Sequence, residues 1–178
     1  MKSIRITART IAALLTFLMM AGGVFAQKVT TDYDHGTDFS QYKTYSWVPS
    51  KNPAKDPLWN QRIIDNIDRQ LAAKGLKKVE GDAGLYVTYN GGLKENVSLQ
   101  GFGTGGRWVG GSFSVNKVTE LEGTLIVDLY DVQGKRLVWR GIATETVSKK
   151  TEKNISKLEK VVEKLFKEYP PKAKGERS

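Results

Sequence analysis

Three groups of residues in this 178-residue chain have types and spacings suited to chemistry. Asp32, Asp34 and His35 lie close together, and Ser40 or Ser46 would complete an acid, a base and a nucleophile on paper. In an extended strand, however, Asp32 and Asp34 point to one side and His35 to the other, so turn and edge-strand roles explain them equally well. Glu120 with Glu122, and Asp128 with Asp131, are carboxylate pairs of the kind that hydrolyse glycosidic bonds. Alternation puts the first pair on one strand face, a pattern that ordinary solvent-facing charges share. Gly101-Phe102-Gly103-Thr104-Gly105-Gly106 satisfies G-x-G-x-x-G, but more glycine follows it instead of a helix. Without a helix N-terminus there is no dipole and no set of free N–H groups to hold a pyrophosphate, so nucleotide binding is not expected.

The segment around that motif is unusual in composition. From Gly91 to Ser112 there are eight glycines in 22 residues, with Phe102, Arg107 and Trp108 among them. Glycine allows tight turns and close backbone approach, and aromatic faces beside an arginine suit a contact loop. The plainer reading, a hairpin tip or an edge covered by the same protein, is preferred here. If the segment does bind, Phe102, Arg107 and Trp108 are the residues that would do it.

Composition removes much other chemistry. The chain has no Cys, which excludes disulfides, thiolate zinc sites and cysteine nucleophiles, and one His leaves no imidazole pair for a metal. No cofactor is expected. Lys2, Arg5 and Arg9, the apolar run Ile11 to Met20 and the small residues of Val24-Phe25-Ala26 form the pattern of a secretory signal peptide over residues 1–26, cut before Gln27. The apolar run is shorter than the roughly 20 residues a membrane span needs and is followed by Gly22-Gly23. No Cys follows it, so a lipid anchor is not expected either. Without the three leader cations the chain keeps 25 Lys and Arg against 19 acids. An exported chain rarely meets nucleic acid, and the densest basic run, Lys172 to Arg177, is a short tail after Pro170-Pro171. Residues 172–178 are expected to be disordered, with attraction to an anionic polymer or lipid as the functional alternative.

The elements that must position these residues follow from hydrophobic period. Val29, Thr31 and Tyr33 alternate with polar neighbours, and Thr44 to Val48 is a second extended run, so both read as strands. Asp56-Pro57 starts a helix that ends at Lys74-Gly75, with Trp59, Ile63, Ile67 and Leu71 in one apolar stripe. Leu85, Val87 and Tyr89 make a third strand, and the glycine-rich segment then leaves as a loop. Phe113 to Tyr130 and Leu137 to Val147 form a hairpin about Asp131-Val132-Gln133-Gly134. A last helix carries Ile155, Leu158, Val162, Leu165 and Tyr169 on one face, with Val161 and Phe166 flanking, until Pro170-Pro171 stops it. This order predicts a single two-layer α+β domain over residues 27–171, with a mainly antiparallel sheet and two helices packed on one face.

Several segments together carry a resemblance. Glu122-Gly123-Thr124-Leu125-Ile126-Val127-Asp128-Leu129-Tyr130-Asp131, then Leu137-Val138-Trp139-Arg140-Gly141 and Leu165-Phe166-Lys167-Glu168-Tyr169-Pro170-Pro171, resemble the bacterial envelope family called domain of unknown function 4136. Asp32-Tyr33-Asp34, Asp38-Phe39-Ser40, Tyr42 to Tyr45 and Trp47 fit its start. The resemblance implies export, often as a lipoprotein, and supplies no catalytic residues; the missing lipidation Cys departs from the family's common pattern. The residues themselves predict Trp139 as a core anchor, Gly123 and Gly141 as points of crowding relief or a bulge, and an Asp128–Arg140 pair on a solvated face worth about 0.2 to 1 kcal/mol. The function expected is that of a periplasmic or envelope-associated binding or structural module that is not an enzyme, contacting envelope components or an anionic surface. The alternative is a hydrolase acting on an envelope polymer through surface carboxylates.

Overall fold

The computed structural model of the protein describes residues 28–104 and 112–171. Strand β1, Lys28–Tyr33, leads through a 3-10 turn at Phe39–Gln41 to β2, Thr44–Trp47. Helix α1, Pro57–Ala73, is followed by the short β3, Lys77–Lys78, then β4, Leu85–Thr104, β5, Ser112–Asp131, β6, Arg136–Val147, and helix α2, Thr151–Phe166. The six strands form one sheet in the order β1-β6-β5-β4-β2-β3. Pairings are antiparallel among β1, β6, β5 and β4, while β2 runs parallel to β4 and β3. The α+β class with two helices and a mostly antiparallel sheet is therefore as predicted.

Local chemistry explains the element ends. The Asp56 carboxylate accepts from the N–H groups of Leu58 and Trp59 at 2.8 and 3.2 Å, Pro57 occupies the first turn, and Gly75 adopts the positive φ of 86° that ends α1. The first turn of α2 has no side-chain cap; Asn154 instead ties it to the segment after β6, its amide accepting from Ser148 N–H and donating to Ser148 C=O, both at 2.7 Å. The helix stops at Phe166, one turn earlier than its apolar pattern, yet Tyr169 stays buried by folding back on Trp139 with ring centroids 5.5 Å apart.

Register puts Val29, Tyr33, Trp139, Ala143, Leu125, Val127, Leu129, Leu85, Val87, Tyr89 and Tyr45 on one face, where α1 and α2 cover them. Trp139 is 1% exposed and stacks on Phe166 at 5.1 Å. Gly141 sits beneath both layers: a Cβ there would come within 2.6 Å of the Trp139 ring and 2.7 Å of Leu165, so the position admits only hydrogen. Neither predicted glycine is a bulge. The register breaks instead between Leu129 and Tyr130, opposite Leu137 and Trp139, which makes Val138 the extra residue and buries it.

The largest departure from the sequence reading concerns Gly91 to Ser112. The third strand does not end at Tyr89; β4 continues to Thr104, and β5 starts at Ser112. Glycine disfavours strands, and its abundance hid the alternation Leu93, Val97, Leu99. A continuous antiparallel ladder from Leu85↔Asp131 to Thr104↔Ser112 satisfies the backbone despite that weak propensity.

Candidate functional site

Beyond the rung Glu95↔Leu121, β5 has lost its β6 neighbour, whose pairing with it begins at Leu121↔Val147. β4 meets β2 only from Leu85 to Val87. The outer parts of β4 and β5 therefore form a two-stranded arm that leaves the sheet. Its register separates two faces. Lys94, Asn96, Ser98 and Gln100 share one with Glu122, Glu120, Val118 and Asn116. The other continues the helix-covered side of the sheet and carries Leu93, Glu95, Val97 and Leu99 opposite Gly123, Leu121, Thr119 and Lys117, with Val115 beyond. On that face Leu93 and Leu99 are each 72% exposed, Val97 55% and Val115 52%. The missing side chain of Gly123 leaves the space where Leu93 and Val147 approach, joining the apolar strip of the arm to the core at Leu125.

Of the three predicted contact residues, one falls within the described part of the arm. Phe102 is a strand residue of β4, paired with Ser114, and not part of a loop. Arg107 and Trp108 lie outside the described residues, as do the leader at 1–26 and the tail at 172–178.

The polar groups singled out by type are placed apart. Asp34 organises a turn by accepting from Gly36 N–H and the Thr37 hydroxyl, both at 2.9 Å, and it pairs with Arg136. Asp32 accepts from Tyr33 N–H, while His35 packs on the Tyr33 ring at 4.4 Å. Ser46 lies in β2, four strand positions from β1, roughly 19 Å at the usual strand spacing, so it cannot serve His35. Ser40 follows Asp38, which accepts its N–H at 2.9 Å; that bond and the Ser40 hydroxyl hold the Asp38 carboxyl below its ordinary range. Glu120 and Glu122 do share a face, the polar face of the open arm. Asp128 binds Arg140 through two hydrogen bonds of 2.6 and 2.9 Å, which raise the guanidinium's already high pKa. Contrary to the solvated face expected for that pair, Asp128 is only 3% exposed. Asp131 instead turns the chain, accepting from Gln133 N–H.

One polar centre has no counterpart in the sequence reading. Asp68 on α1 accepts from Tyr45 Oη at 2.8 Å and Trp47 Nε1 at 2.7 Å through one oxygen, and from Lys78 Nζ at 2.9 Å through the other. It ties α1 to the β2–β3 edge, and burial together with the Asp68 carboxylate pushes the Tyr45 hydroxyl well above its ordinary value. The visible signal was an acid four residues after Ile64, beside the apolar stripe. Next to it runs a wide, open groove of about 590 Å³ lined by Tyr45, Asp68, Arg69, Leu76, Lys77 and Lys78. Asp68 is engaged by Tyr45, Trp47 and Lys78, so this groove has a structural tie at its floor, and Asp65, which also lines it, accepts from Gln61 Nε2 at 2.7 Å. Among the described residues no group of three or more His, Cys, Asp and Glu side chains could hold a metal, and no helix is long and apolar enough to cross a membrane.

The chain matches the family described as Domain of unknown function (DUF4136) over residues 29–171. It belongs to that family. Comparison of this DUF4136 chain with curated proteins gave no match. Among solved structures, a PDZ domain protein from Parabacteroides distasonis is similar with a TM-score of 0.54 at 16% identity, over 82% of this chain and 35% of that one. The DUF4136 chain thus spans about a third of that protein, and the likeness is one of fold. The PelC dodecamer from Paraburkholderia phytofirmans matches in two crystal forms with TM-scores of 0.46 and 0.47, each at 14% identity and 79% of this chain, covering 95% and 96% of PelC.

Proposed function

We propose that this DUF4136 chain is an exported, envelope-associated binding or structural module whose contacts are made through the β4–β5 arm. The observation that carries the reading is the arm's apolar face, where Leu93, Val97, Leu99 and Val115 stand exposed beyond the cover of the helices. Soluble proteins rarely leave a contiguous apolar strip open unless something else covers it. The n-region, apolar run and small residues of the first 26 positions support export. A hydrolase of glycosidic bonds would need two carboxylates facing one cleft, whereas Glu120 and Glu122 lie on an open ribbon and Asp128 is held by Arg140.

Two measurements test this. In a bacterial host the protein is expected in the osmotic-shock fraction with Gln27 as its first residue; intact Met1 on protein from washed membranes would reverse the export reading. Replacing Leu93, Val97 and Leu99 together by Ser is expected to leave the fold intact, because all three are exposed, and to weaken retention on isolated cell envelopes. Retention unchanged at low and physiological salt would move the contact to the basic run Lys172 to Arg177, whose contribution falls as salt rises.

A further inference from the structure

We infer that the apolar face of the arm seats the same face of a second copy of this chain, the two arms antiparallel about a two-fold axis at the Val97↔Thr119 rung. The inference rests on the arm being the contact surface and names its occupant. A lone two-stranded ribbon is at best marginally stable in water, so an arm of this length calls for a partner layer. The charges on the apolar face select which one. Glu95 belongs to the rung Glu95↔Leu121 and Lys117 to the rung Leu99↔Lys117, four residues further along. At about 3.4 Å per residue they stand roughly 14 Å apart in one arm, too far to pair. The two-fold operation maps each rung onto the one equally far beyond Val97. Glu95 of each copy then shares a rung with Lys117 of the other, in the neighbouring strand column and within reach of two long side chains across packed ribbons.

The same operation matches the apolar residues. Val97 meets its own copy at the axis, Leu93 shares a rung with Val115, and Leu121 shares one with Leu99. The surface is self-complementary, as an isologous contact requires. An anionic lipid surface is the poorer occupant, because the described arm carries Lys94 and Lys117 against Glu95, Glu120 and Glu122. With the axis at Val97 the arms overlap over the nine rungs from Leu93 to Gly101, a strip about 30 Å long and two strands wide, roughly 600 Å² across both copies. That is under the usual size of a stable interface, so the pair forms at high concentration and dissociates on dilution.

Sedimentation equilibrium of residues 27–178, which contain every described element, tests the pairing. The unaltered chain is expected to self-associate in a concentration-dependent way. Val97→Asp is expected to weaken association at least about ten-fold by placing two like charges at the axis, with an unchanged circular dichroism spectrum because Val97 is half exposed. Glu95→Lys and Lys117→Glu are each expected to self-associate weakly, while their equimolar mixture recovers the association of the unaltered chain, since both rungs are then oppositely charged. A chain monomeric at all concentrations, a Val97→Asp variant that associates normally, or a mixture that fails to recover would each overturn the inference. So would a monomeric chain that co-sediments with phosphatidylethanolamine–phosphatidylglycerol vesicles, which would give the arm a lipid partner. In any of these cases envelope retention that still depends on the arm leaves the function proposed above standing.

Discussion

The inner and outer parts of β4 and β5 belong to the same two strands and obey the same alternation, yet they end in opposite surroundings. From Leu85 to Tyr89 and from Leu125 to Leu129, every second side chain is buried under α1 and α2. From Leu93 to Leu99, and at Val115, the side chains of the same face stand in the open. Alternation fixes which side of a ribbon is apolar, but only the lengths of the neighbouring elements decide where cover stops. β6 ends at Val147 and pairs no further than Leu121, and past that point the apolar face has no layer of its own.

That contrast can be broken most sharply at Trp139. Trp139→Ala is expected to cost about 3 to 5 kcal/mol in chemical denaturation, because it empties the stack between Phe166 and Tyr169. Next comes Gly141→Ala, which drives a methyl group into Trp139 and Leu165 and is expected to cost about 1 to 3 kcal/mol. The same change at Gly92, where a Cβ meets nothing within 4 Å, supplies the matched control near the arm and should be far milder.

Alkaline titration separates the two regions without mutation. Burial, with Asp131 nearby, pushes the Tyr42 hydroxyl from 10.0 up to about 12, and burial raises Tyr45 and Tyr169 further. A raised folded pKa means that the folded state holds its proton more tightly than the unfolded chain. This contribution is complete below pH 10 and is lost as pH climbs through the folded values. Thermal melts are therefore expected to fall above pH 10, and replacing Tyr42 by Phe should soften that fall while also removing a buried, unpartnered hydroxyl. The smallest effect is expected on the arm: Leu99→Ala, measured in dilute solution, should change stability by less than about 0.5 kcal/mol.

The same contrast marks what the sequence could and could not reveal. Both helices, the β5–β6 hairpin, the Trp139 anchor and the Asp128–Arg140 pair were legible because each rests on local period or on neighbouring strands. The arm was misread as a loop, since eight glycines outweighed an alternation that only pairing with β5 makes decisive. The two-residue β3 has too few positions for any period to register. Asp68 showed only as an acid beside the apolar stripe, and its role stayed hidden because its donors at Tyr45 and Trp47 lie 23 and 21 residues away, across a helix–sheet contact that no spacing rule encodes. The register break at Val138 was misplaced for a related reason: glycine marks where the chain is able to bend, while packing decides where it does.

The pairing of β1 with β6 has a kinetic side. Lys28 meets Thr144 and Tyr33 meets Trp139, so the first strand of the domain closes a loop of more than a hundred residues. Such a contact forms only after nearly all of the chain is free to search for it, and topologies dominated by distant pairings fold slowly. A polypeptide that cannot finish its sheet until its last strand is available stays extended for longer, which is the state that the export proposed above would require of it.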